Sequence, residues 1–195
     1  RKGGPDAVAK MTEKDAGQMS EGEFSGYSIA IKIKLSEKFP AVPVCAQFRN
    51  GLASGSHKFN SADLKYAVGL WKSEGPAAAE KVFGGPMSGW DVSAVTEMKD
   101  LFQWMSDFNE DISGWDVSSV ADMSFMFEYA KAFDRDIGGW NVGSVKDMRS
   151  MFSGAASFRQ NIGAWDVREV KDMGSMFSGA KRFDVGCISK WVKKP

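Results

Sequence analysis

Trp115-Asp116-Val117-Ser118-Ser119-Val120-Ala121-Asp122-Met123-Ser124-Phe125-Met126-Phe127 is one copy of a pattern that returns every 25 residues. Tryptophan recurs at Trp90, Trp115, Trp140 and Trp165, and valine at Val92, Val117, Val142, Val167 and at Val95, Val120, Val145, Val170. Methionine recurs at Met98, Met123, Met148 and Met173, followed by Phe102, Phe127, Phe152, Phe177 and by Phe108, Phe133, Phe158, Phe183. A last partial copy ends at Trp191, one residue late. Chance does not hold so many columns in register over four copies, and a fixed period of this length marks a repeat architecture.

Within one copy, Trp115 and Val117 alternate with Asp116 as in a strand with one buried face. Val120, Met123, Met126, Phe127 and Ala130 then follow at three-to-four spacing, the apolar face of a short helix. Such a coil cannot bury its faces alone, so copies are expected to stack and pair their strands with their neighbours. The expectation is an α/β fold: a short solenoid of four to five 25-residue strand–helix coils, leucine-rich-repeat-like, with a parallel sheet. Four coils at about 4.8 Å each give a stack of about 20 Å.

The copy quoted above, with Ala130, Phe133, Asp136 and Ile137, resembles the BspA-like branch of leucine-rich repeats. That branch is known from mycoplasma lipoproteins, bacterial surface proteins and microalgal proteins. The resemblance runs over about residues 61–192, and its lead-in, Leu64 through Trp71 to Phe83-Gly84, is similar too. It implies interaction or adhesion rather than catalysis. Val120 stands where ordinary leucine-rich repeats hold Asn or Cys, so the turn chemistry must differ.

The repeats, residues 87–195, follow three other segments. Residues 61–86 read as a helical cap: Asn60 or Ser61 opens a helix carrying Leu64, Val68 and Trp71, Gly75 ends it and Pro76 opens another. Residues 24–60 hold the alternation Tyr27, Ile29, Ile31, Ile33, Leu35, which predicts a strand. Residues 1–23 are polar and weakly periodic, an extended tail. Ordering it costs on the order of 1 kcal/mol per residue with few apolar groups in return. It is therefore expected to lie along a partner, with Lys2, Lys10 and Lys14 among the contacts. The start at Arg1 without a signal-peptide core is compatible with a processed precursor.

Composition narrows the chemistry. Among 195 residues, 25 basic and 25 acidic side chains cancel, which argues against a nucleic-acid partner. No apolar run reaches a membrane span. One histidine, His57, leaves no metal cluster or Ser-His relay, and its polar loop predicts solvation. Cys45 and Cys187 fall at opposite ends of the stack, about 20 Å apart by the coil spacing, beyond the ~7 Å that a disulfide spans. No cofactor is expected, and the chain is not read as an enzyme.

The column Asp91, Asp116, Asn141, Asp166 stacks carboxylates that suit a hard cation such as calcium. The simpler reading is that each accepts hydrogen bonds from its own turn. The methionine columns read as core filler. The departures from the repeat are more telling. Phe125 replaces Asp100, Ser150 and Ser175, while Trp104 and Tyr129 replace Gly154 and Gly179. These aromatics either cover the join to the N-terminal region or form a partner site.

The function expected is a non-catalytic protein–protein interaction scaffold, an accessory or linking subunit of a larger complex. A plastid or photosynthetic membrane complex, peripherally bound, is one setting the resemblance permits. A cell-surface or secreted adhesion protein is the alternative, and a calcium-dependent ligand binder using Asp91, Asp116 and Asp166 the second.

Overall fold

A computed structural model describes residues 5–55 and 57–191. The repeats do stack, but not as strands and helices. From Trp90 to Ala180 each coil is a chain of tight turns: Trp115 N–H donates to the Ile112 carbonyl, Val120 to Val117, Met126 to Met123 and Ala130 to Phe127. The spacing of three that predicted a helical face is the spacing of successive turns. No sheet forms among the described residues. The parallel pairing is reduced to isolated bridges, Glu97 with Asp122, Asp122 with Asp147 and Asp147 with Asp172. The expected parallel-sheet solenoid of strand–helix coils is therefore corrected to a stack of turn-built coils.

The backbone itself prevents helix. Asp100, Trp104, Phe125, Tyr129, Ser150 and Ser175 have φ between 53° and 62°, and Gly154 and Gly179 have φ of 68° and 75°. These left-handed residues turn alternate peptide units along the stack. Met123, Phe125, Phe127 and Tyr129 donate their N–H groups to Asp147, Arg149, Met151 and Ser153 of the next coil, at 2.7–2.9 Å. The coils before and after do the same, so each joint carries four like-directed backbone bonds.

Side chains fill the coil interior in columns. Phe102, Phe127, Phe152 and Phe177 stack at 5.5–5.8 Å between centroids, and each meets a second phenylalanine of its own coil at 3.9–4.1 Å. The indole N–H groups of Trp115, Trp140 and Trp165 reach back to the carbonyls of Met87, Ile112 and Ile137. Met98, Met123, Met126, Met148, Met151 and Met176 are buried among them.

The N-terminal region is helical: α1 Pro5–Lys10, α2 Glu13–Gly17, α3 Glu21–Ser25, α4 Ile29–Lys38 and α5 Pro43–Ala53. From Pro5 on, the segment read as an extended tail is helical. Thr12 and Ser20 form capping boxes with Asp15 and Glu23 that start α2 and α3. Val8, Ala16 and Phe24, few as they are, are buried against Leu35, Phe39, Val42 and Cys45. Lys38 Nζ donates to the carbonyls of Val8, Ala9 and Met11 at the end of α1. The chain's own helices pack this segment.

The predicted strand over residues 27–35 is instead helix α4. Its alternation is the overlay of two i,i+4 stripes. Ile29 and Ile33 face the repeat core, whereas Ile31 and Leu35 face the N-terminal core. A helix between two cores thus reads as period two.

Two helices precede the first coil. Asn60 Oδ1 accepts the Asp63 N–H at the start of α6 Ser61–Glu74, and Pro76 opens α7 Pro76–Phe83. Gly84 ends α7 at φ 75°, where a Cβ would collide with the Leu52 carbonyl of α5. Both cysteines are free. No helix among the described residues is long and apolar enough to cross a membrane.

Phe127 and Phe177 occupy the same column, but Phe127 is fully covered and Phe177 lies on the last coil. Phe127→Ala is expected to destabilise by about 3–5 kcal/mol, and Phe177→Ala by clearly less. Denaturant unfolding of the two variants measures the difference.

Candidate functional site

The outward left-handed position of each coil holds Trp104, Tyr129, Gly154 and Gly179 in turn. Glycine occupies it without strain, whereas an L-residue there costs roughly 1–2 kcal/mol. Trp104 accepts that cost and buries little in exchange at 60% exposed, while Tyr129, 37% exposed, lies between Trp104 and the next coil. Their rings stack at 4.1 Å and 12°. Tyr129 also leans over the next coil, since a Cβ on Gly154 would come within 2.5 Å of its ring. The result is an exposed two-ring ridge that steps down onto a bare glycine floor.

Trp104 stacks on Tyr129 and stays largely exposed. Phe125 belongs to a different contact: it is half-buried, and the Arg149 guanidinium lies 5.1 Å above its ring. Lys10 and Lys14 are exposed on α1 and α2, away from any cluster with the ridge, and Lys2 falls outside the described residues.

The acidic columns serve their turns. Oδ1 of Asp91, Asp116 and Asp166 accepts the backbone N–H of Ser93, Ser118 and Arg168 two residues on, and Asn141 does the same for Gly143. Asp111, Asp136 and Asn161 repeat the motif. Among the described residues, no three His, Cys, Asp or Glu side chains gather as a metal site. Hydrogen bonds from Ser93 and Ser118 hold the Asp91 and Asp116 carboxyls below their ordinary range, and Arg168 holds Asp166 down at about 2.

His57 is not solvated. Its ring packs edge-on to Phe59 at 4.7 Å, near Phe48 and Phe83, and its Nε2 lies 3.3 Å from the buried Asp63 carboxylate. The polar neighbours Gly55 and Lys58 hid this placement, although Phe59 two residues on was a signal of it.

Stacked 25-residue coils define a repeat protein. The chain belongs to the family described as Mycoplasma protein of unknown function, DUF285, whose model matches residues 74–191. No curated protein and no solved structure matches the chain.

Because these carboxyls are depressed in the folded state, they add stability above the ordinary carboxylate range. They lose it as pH falls through their folded values, below about 4 and down to about 2 for Asp166. Asp116→Asn keeps the turn, as Asn141 shows, but removes the titration. The loss of thermal stability between pH 7 and pH 2 is expected to be smaller in that variant than in the wild type, and melting curves at the two pH values measure it.

Proposed function

We propose that this chain is a non-catalytic protein–protein interaction module whose binding surface is the Trp104–Tyr129 ridge. The observation that carries the reading is two exposed aromatic rings held in a backbone conformation that sister coils give to glycine. The coil needs neither ring, and exposed, stacked aromatics are the side chains that anchor interfaces. The BspA-like character of the repeat supports interaction or adhesion. Membership of a larger assembly, as an accessory subunit, is the first reading. A cell-surface or secreted adhesion protein is the second.

Trp104→Gly with Tyr129→Gly tests the proposal without harming the fold. Relief of the left-handed strain offsets the lost stacking, so stability should stay within about 1 kcal/mol of wild type. Wild-type protein crosslinked in extracts of its source should retain a defined, stoichiometric set of proteins that the double variant loses. Equal retention by both would overturn the ridge as the binding surface.

A further inference from the structure

The outward left-handed row changes character halfway along the stack. Trp104 and Tyr129 project from the first two coils, and Gly154 and Gly179 follow on the next two. The flanks change with it: Gln103, Glu128 and Lys131 stand beside the rings, whereas Ser153, Ala156, Ser157 and Ser178 stand beside the glycines. A Cβ on Gly179 would meet only the Gly154 backbone, at 3.5 Å. One face of the stack therefore carries a knob and, next to it, an open flat.

Charge beside the row divides the same way. Asp107, three residues after Trp104, is exposed, and Lys181 and Arg182, two and three residues after Gly179, are exposed as well. None of the three has an ion partner among the described residues. On the second coil Glu128 accepts from Gln103 Nε2 at 2.6 Å and has Lys131 nearby in the chain. On the third, the matching residues are uncharged.

The wider stack repeats this polarity. Residues 90–139 hold eleven acidic and three basic side chains, whereas residues 140–191 hold five acidic and eight basic. Knob and negative charge thus share one half of the face, and flat and positive charge the other. Such a face complements its own copy in both shape and sign when that copy is reversed, which is what a two-fold interface requires.

We propose that the partner of the ridge is a second copy of this chain, turned end for end, an inference that rests on the ridge being a binding surface. Trp104 of each copy lies over Gly179 of the other. The two Tyr129 rings, each already leaning over its own Gly154, meet at the two-fold axis. Asp107 of each copy faces Lys181 and Arg182 of the other, and Glu128 and Lys131 face the uncharged flank of the third coil. Pairing in the same sense would set ring against ring and Asp107 against Asp107 with no cation opposite. Reversed pairing uses both ridges and both flats, so it closes at two copies. The row is about 20 Å long, small beside a standard interface, and the dimer is accordingly weak and sensitive to its charges.

Sedimentation velocity of the purified full-length protein over a concentration series tests the pairing. The wild type should show a monomer–dimer equilibrium that salt weakens, and Trp104→Gly with Tyr129→Gly should sediment as monomer throughout. Asp107→Lys alone, and Lys181→Glu with Arg182→Glu, should each weaken association about tenfold, and the three combined in one chain should restore it, because both signs are then exchanged. These positions are exposed, and unchanged melting temperatures show that the variants fold. A dimer that survives loss of both rings, or a combined charge exchange that fails to restore association, would overturn the reversed pairing. So would a wild type that stays monomeric at every concentration. If the double glycine variant still loses its partners from extracts in that case, the ridge remains a binding surface for another protein. If it keeps them, the ridge itself is not the binding surface.

Discussion

Everything in the repeat region depends on one backbone constraint: alternate peptide units must lie along the stack so that four N–H groups per coil reach the next. The left-handed residues exist to turn those units, and the aromatic columns are positioned by them. The cost of a positive φ is offset by a bond to the neighbouring coil and by burial of a phenylalanine beside it. Only where the side chain points outward does that offset fail, and there glycine is the economical residue. Trp104 and Tyr129 are conspicuous because they sit at that outward position.

Much of the core was legible in the sequence. The tryptophan, valine, methionine and phenylalanine columns name the buried residues of each coil, and Asn60, Gly75 and Pro76 mark the ends of the cap helices where they fall. The local geometry was not legible, because apolar spacing of three to four belongs equally to a helix and to successive three-residue turns. Left-handed dihedrals at Asp100 or Ser150 leave no trace in residue type beyond the glycines at Gly154 and Gly179 in a sister column. In α4 the period of two misled for a related reason, since Ile29 with Ile33 and Ile31 with Leu35 serve two separate cores. The polar tail was underestimated because a sparse set, Val8, Ala16 and Phe24, suffices once capping boxes fix the short helices that carry it.

The ridge was legible as an exception to the repeat, but its meaning was not. Sequence alone leaves Trp104 free to be buried, and only the structure shows it exposed and stacked on Tyr129. Phe125, grouped with it by the same logic, separates from it in space and pairs with Arg149. The directed row of amides was hidden from the sequence, because it is a property of peptide orientation that no side chain encodes.

The indole bonds of Trp115, Trp140 and Trp165 reach carbonyls 28 residues earlier. Through these bonds each coil closes on a platform that already exists, while its own row of four N–H groups is met by the coil that follows. The cap and first coil are made first during synthesis, and each later coil finds its template waiting as it emerges. Assembly is vectorial, one rung at a time from the helical cap, which gives a fold rich in non-local contacts the short search of a local one.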